Sequence, residues 1–163
     1  MSGAASDTPI ELIAFELFDQ EFCIDISAVR EIRGWTPATP VPEAPEHICG
    51  MINLRGTIMP VVDLGRRLGL GASRPSPRHV IVVVQKGDKA AGLLVDAVQE
   101  TFSIAPDSLH RKPDLGDSGP SLVDGIISMT DRLRSRIVVD LLIPGADAPP
   151  QVPSHDEKRY HYL

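Results

Sequence analysis

Short apolar, β-branched runs punctuated by turn residues, with strict alternation of apolar and polar positions over Phe22 to Ile26, give this chain the pattern of β-strands. Ile10 to Phe18 is an apolar run with acidic interruptions, Asp19-Gln20-Glu21 is a turn, and Phe22, Ile24 and Ile26 alternate with Cys23 and Asp25. These residues predict a first hairpin. Ser27 reads as the cap of a short helical turn that sets Val29 and Ile32, three residues apart, on one side, with Arg30 and Glu31 projecting elsewhere. Pro37, Pro40, Pro42 and Pro45 forbid a continuous helix or central strand, so Trp35 to Glu46 is expected as an irregular or edge connection. A second hairpin follows. Its strands are Met51 to Leu54 and Thr57 to Leu64, and the Arg55-Gly56 pair between them provides the positive φ that a tight reversal needs. Pro60 has no N–H for a ladder, which predicts a sheet edge, a bulge or a barrel corner there.

Asp63 is expected to cap a short helix carrying Leu64 and Leu68, ended by Gly69 and Gly71. Residues 71–78, Gly-Ala-Ser-Arg-Pro-Ser-Pro-Arg, read as a linker. Val80 to Val84 is apolar on both faces, Lys86-Gly87-Asp88-Lys89 is a hairpin turn, and Ala90 to Phe102 reads as one long returning strand. Residues 105–121 read as a long loop, a functional or flexible segment by its length. Leu122 to Met129 and Arg136 to Ile143 are expected to form a last hairpin. Residues 1–9 are expected to be flexible, and 144–163, with Pro149, Pro150 and Pro153, a disordered tail.

The chain also matches itself. When Leu12 is laid on Ile81, Leu12 to Phe15 meet Ile81 to Val84, Ile24 and Ile26 meet Leu93 and Val95, and Ser27-Ala28-Val29-Arg30-Glu31 meets Asp96-Ala97-Val98-Gln99-Glu100. Val61-Val62-Asp63-Leu64 recurs letter for letter as Val138-Val139-Asp140-Leu141. Two similar all-β units, about 10–70 and 79–143, are therefore expected, each curled into a barrel that removes exposed edges and packed on the other because so small a unit has a marginal core.

Composition narrows the function. Of 163 residues 42% are apolar but only 4% aromatic, so the core rests on Val, Ile and Leu. A net charge of −6 with scattered arginines argues against a nucleic-acid or anionic-membrane surface. Cys23 and Cys49, without CxxC spacing, read as small buried hydrophobes in a reduced, cytoplasmic protein. No signal peptide and no apolar run of the ~20 residues needed for a span is visible. His47, His79 and His110 are far apart, and His155 with His161 make only a two-ligand tail pair. No Gly-x-Ser-x-Gly elbow or P-loop is present, and Gly69-Leu70-Gly71 lacks a third glycine. Asp25, Asp63, Asp96 and Asp140 sit near strand ends at repeat-related places. Neither enzyme activity nor a cofactor or metal is expected.

Three separated motifs carry a resemblance. They are Phe-x-Ile-Asp-Ile-x-x-Val-x-Glu-Ile-Arg-Gly through Phe22 to Gly34, Asn53-Leu54-Arg55-Gly56 followed by Pro60-Val61-Val62-Asp63-Leu64, and Gly92-Leu93-Leu94-Val95-Asp96. With these the chain resembles, over about residues 10–143, the CheW family of adaptors that couple chemoreceptors to their histidine kinase in bacterial chemotaxis. The resemblance implies two SH3-like five-stranded barrels packed together with short helices, and a scaffold without catalysis. It implies partners as well: the cytoplasmic signalling tip of a chemoreceptor, and the regulatory domain of a CheA-type kinase. Carried over position by position, Val29, Glu31, Ile32 and Val98 would face the receptor, and Gly50, Arg55 and Val80 the kinase. Glu31 and Arg55, opposite charges in two motifs, are expected to pair across the first barrel.

Plainer readings stand beside these. Val29 and Ile32 serve equally as core, Arg55 as a solvated turn residue, Gly50 as a positive-φ position, and Trp35 as a lid over a barrel rather than a contact hot spot. Two alternatives to the adaptor remain, a stand-alone kinase-type regulatory module and a small β-barrel enzyme.

Overall fold

The computed structural model describes residues 8–112 and 121–145. The expected N-terminal lead-in and C-terminal tail fall almost wholly outside these residues, as does 113–120 of the expected loop. Among the described residues eleven strands form two sheets. One has the order β8-β1-β2-β11-β10-β9, from Ala97–Ile104, Ile10–Leu17, Gln20–Asp25, Leu133–Ile137, Val123–Ser128 and Leu109–Arg111. The other has the order β3-β6-β7-β5-β4, from Val29–Gly34, Val80–Lys86, Lys89–Val95, Thr57–Asp63 and Ile48–Leu54.

The repeat is legible in this topology, but the sheets do not follow a division of the sequence at 71–78. Hairpin β1–β2 pairs with β8, and its repeat counterpart β6–β7 pairs with β3. Each half of the chain thus passes its third strand to the other half's hairpin. The second hairpins attach the same way: β5 runs parallel to β7 with Val61 opposite Gly92, and β11 runs parallel to β2 with Arg136 opposite Cys23. The β3–β7 sheet is contiguous in sequence and is inserted into the other. The crossovers are a 3-10 turn, Ile26–Ala28, and a bend at Asp96. That bend divides the single long strand expected over Ala90 to Phe102. The N–H of Asp96 donates to the Glu16 carbonyl (3.0 Å), and its carboxylate accepts from the Phe18 N–H (2.8 Å), which anchors the chain as it leaves one sheet for the other.

Burial explains why β1, β2, β6 and β7 are apolar on both faces. Ile13, Phe15, Leu17, Phe22, Ile24, Val82, Val84, Ala91, Leu93 and Val95 form a cluster shared by the two sheets, joined by Val62, Leu64 and Ile137. Alternate residues point the other way. Ile81, Val83 and Leu94 join Ile52, Leu54, Met59 and Val61, while Leu12, Cys23 and Ile127 form the third cluster. Trp35 packs on the second of these, as the lid reading has it, and Cys23 and Cys49 are free thiols in separate clusters. Burial pushes the Cys23 thiol up to about 12 and the Cys49 thiol up to about 11.

Four local expectations change. The second strand of the last hairpin is Leu133–Ile137 rather than Arg136 to Ile143, within which Val139–Leu141 is a 3-10 turn. Val29 to Ile32 is strand, not helix. A bulge between Val29 and Glu31 restores the intended side: Val29 pairs with Val84 and Ile32 with Val82, whose side chains share one face. Strand β5 is interior from Val61 onward and has β4 alone as a neighbour at Pro60, so the edge expected at that point is local. Its pairing with β7 begins only at Val61, and Met51, opposite Pro60, exchanges its backbone hydrogen bonds with Thr39 (2.8 and 2.9 Å), so the missing N–H of Pro60 costs no ladder bond to β4. Part of the expected loop, Leu109–Arg111, is a short edge strand on β10, where Gly125 leaves room for the Leu109 side chain. Asp63 caps the short helix α1, Leu64–Arg67, as expected, accepting from the Arg66 N–H at 3.3 Å.

The register of the parallel pairs places Arg134 where the other sheet has Met59. Arg134 is only 1% exposed. Its Nε donates to Glu21 (2.8 Å), its Nη1 lies 3.2 Å from Glu100 without hydrogen-bond alignment, and its guanidinium stands 4.7 Å from the Phe102 ring centre. The hydrogen bond from Arg134 holds the Glu21 carboxyl below its ordinary value of 4.5, against the opposing effect of burial and with help from Arg132. A depressed carboxyl stabilises the fold above its unfolded-state pKa, and that contribution disappears as pH falls through the folded-state value. Glu21→Gln is therefore expected to lower stability at neutral pH, with the gap from wild type closing as pH falls below 4.5. Urea titrations across pH measure it; a gap that stays constant would show that the charge of Glu21 is not the cause.

Candidate functional site

The β4–β5 turn and strand β3 build the site. Arg55 and Gly56 form the two-residue reversal with φ of 53° and 92°, and Asn53 Oδ1 accepts from the Gly56 N–H at 2.8 Å. This turn is at the tip of the hairpin holding edge strand β4, whereas β3 is the opposite edge of the same sheet. Yet Arg55 Nη2 donates to Glu31 Oε1 at 2.5 Å, and Thr39, shortly after β3, bridges to Met51 of β4. These two contacts form a seam that links the two margins of the five-stranded sheet. The Glu31–Arg55 pair expected from the motifs is the ionic part of that seam.

Glu31 also receives Arg33 Nη1 at 3.4 Å. The Arg55 hydrogen bond is the main cause of a Glu31 carboxyl held below its ordinary value, with burial acting against it and Arg33 adding a smaller pull. The side chain of Arg55 is nevertheless 62% exposed. A fixed cation is thus presented to solvent, oriented by a carboxylate that is also held by Arg33.

The remaining candidates divide. Ile32 is 44% exposed beside Glu31, a free apolar surface. Val29, Val80 and Val98 are half-buried and pack against the shared central cluster from β3, β6 and β8; Val80 pairs with Gly34, and Val98 with Phe15. Gly50 has a backbone reason for its identity. Its φ is 151°, and a Cβ there would lie 2.3 Å from the Thr39 carbonyl oxygen, so the bridge that closes the seam requires glycine.

Sequence reasoning passes over two exposed side chains. Ile58, 65% exposed, follows the Arg55 turn, and Leu133, 60% exposed, holds the equivalent register position in the other sheet. Ile58 sits in a run of apolar residues and reads as core. For Leu133 a signal exists, since Arg132 and Arg134 flank it.

A family model described as the CheW-like domain matches residues 11–143. The chain belongs to the CheW family. A chemotaxis protein CheW of Rhizobium meliloti (strain 1021) is 45% identical over 138 residues, covering 84% of this chain and 89% of that protein. A probable chemotaxis protein CheW of Rhizobium etli is 44% identical over 133 residues, covering 81% and 86%. Among solved structures, the scaffolding protein TtCheW from Thermoanaerobacter tengcongensis matches with a TM-score of 0.74 and 35% identity over 80% of this chain and 90% of that one. This CheW-family chain is thus a chemotaxis scaffold, not an enzyme. Among the described residues no group of three or more His, Cys, Asp or Glu gathers as a metal site, and no helix is long and apolar enough to cross a membrane.

Two substitutions separate support from surface. Gly50→Ala is expected to lose at least about 1–3 kcal/mol, because the positive φ is strained and the Cβ meets backbone. Arg55→Ala should leave the thermal midpoint nearly unchanged, since an exposed pair adds little to stability. Thermal and urea unfolding of the two variants check both.

Proposed function

We propose that this chain acts in the cytoplasm as a two-sided adaptor, binding the signalling tip of a chemoreceptor and the regulatory domain of a CheA-type histidine kinase. The observation that carries the reading is the Glu31–Arg55 seam. It holds an exposed cation at a turn that exposed Ile58 follows three residues on, and exposed Ile32 follows Glu31 on β3. A charged anchor with apolar neighbours is what a modest protein interface needs.

In this reading the receptor side comprises Val29, Glu31, Ile32 and Val98, and the kinase side Gly50, Arg55 and Val80. Glu31 and Arg55 touch, so the two sides share one ion pair. A shift at either surface has a direct route to the other through a seam only two side chains wide. Gly50 serves the kinase side indirectly, by letting the Thr39 bridge set the angle of the hairpin. Val29, Val80 and Val98 give each side a firm base on the shared core.

The test is a pull-down with a receptor signalling-tip fragment and a kinase regulatory domain, each alone and then together. A ternary complex is expected. Arg55→Glu should keep the fold, checked by circular dichroism, and lose kinase coupling, because it places two carboxylates face to face. Coupling that survives Arg55→Glu in a folded variant would remove Arg55 from the interface, and binding to neither partner would remove the adaptor reading.

A further inference from the structure

An open cavity of about 420 Å³ lies beside the Asp96 crossover between the two sheets, lined by Phe18, Ser73, Arg74, Ser76, Arg78, His79 and Asp96. Its wall is the connection 72–79, whose Pro75 and Pro77 limit backbone freedom. Arg74 and Arg78 project from this connection and form no ion pair among the described residues. Ser73 Oγ is buried with no hydrogen-bond partner there. A protein with net charge −6 therefore sets around one crevice two guanidinium groups and a hydroxyl that have no partner among the described residues.

The one carboxylate in the cavity is already engaged. Asp96 Oδ2 accepts from the Phe18 N–H at 2.8 Å, and Oδ1 lies 3.4 Å from His79 Nε2. His79 Nδ1 accepts from the Ser76 N–H at 3.1 Å, which leaves the ring proton on Nε2, facing Asp96. The Arg78 N–H donates to Ser76 Oγ at 3.2 Å, and the Ser73 N–H to Asp63 Oδ2 at 3.0 Å, so the loop that carries the arginines is tied at both ends. The geometry is a braced basic crevice with donors to spare.

We propose that this crevice binds a phosphoryl oxyanion, either inorganic phosphate or a small phosphate monoester, with Arg74 and Arg78 as the charged donors and Ser73 Oγ as the neutral one. Guanidinium forks match phosphate oxygens in geometry and charge. The bound anion would touch the β1–β2 turn through Phe18, the 72–79 connection, and the neighbourhood of the Asp96 crossover. It would brace the two sheets at their junction, raising the stability of the folded chain in proportion to occupancy.

The full chain is titrated with inorganic phosphate, with O-phosphoserine as the monoester, and with sodium chloride at matched ionic strength, following backbone amide shifts of Ser73, Ser76 and His79 and the thermal midpoint. Saturable shifts and a raised midpoint with either phosphoryl probe are expected, absent with chloride; the tighter probe identifies the source. The Arg74→Ala, Arg78→Ala double variant should weaken binding about tenfold or more, the scale of losing charge-assisted hydrogen bonds. Ser73→Ala gives a smaller loss in the same direction. Shifts that grow linearly without saturating, that chloride reproduces, or that survive in the folded double variant overturn the proposal.

Discussion

Everything in this molecule depends on one apolar cluster shared by two sheets. Four strands, β1, β2, β6 and β7, give one face to that cluster and the other to a smaller one. A strand buried on both sides cannot be solvated, so the sheets are obliged to pack on one another, and neither presents the pair β1–β2 or β6–β7 to water. The exchange of third strands follows the same logic. By passing β3 to the β6–β7 hairpin and β8 to β1–β2, the chain crosses the shared core twice, at Ile26–Ala28 and at Asp96. The two repeats are bound by hydrogen-bond ladders as well as by apolar contact.

Where the two sheets differ, the difference is electrostatic. At equivalent positions in the register of the parallel pairs one sheet has Met59 and the other Arg134, which is held by Glu21 and Glu100 and backed by Phe102. Glu100 falls on Glu31 in the repeat, and both carboxylates receive an arginine from the second hairpin of their sheet. In one sheet the arginine is buried; in the other it lies at the surface, where Arg55 remains available to a partner. The same device serves structure on one side and display on the other, and only the depth of the arginine distinguishes them.

Hairpins, the Arg55-Gly56 reversal, the Asp63 cap and the repeat are all legible in the chain itself, because each is a local pattern: a period of two, a turn pair, a capping side chain before an apolar run. The Glu31–Arg55 contact is legible from motifs, although no periodicity would bring these residues together. Other features mislead for identifiable reasons. Ser27 before Val29 and Ile32 looks like a helix start, yet a bulge at Arg30 gives a strand the same three-residue spacing. Ala90 to Phe102 looks like one strand, since nothing in a run of strand-forming residues says that Asp96 will be held by a backbone N–H from another turn. Ile58 looks buried because alternation indicates which residues share a face without saying which face meets water.

The sequence by itself determined the all-β class, the internal repeat and the family, because these rest on short-range periodicity and on motifs whose order along the chain is enough. Only the tertiary structure decided which strand pairs with which, that Gly50 must be glycine to admit Thr39, and that Arg55 stays exposed while Arg134 does not. The reason is physical. Strand partners and burial are set by contacts between residues far apart in the chain, and two repeats with the same alternation can fold alone or exchange strands with no change in local pattern.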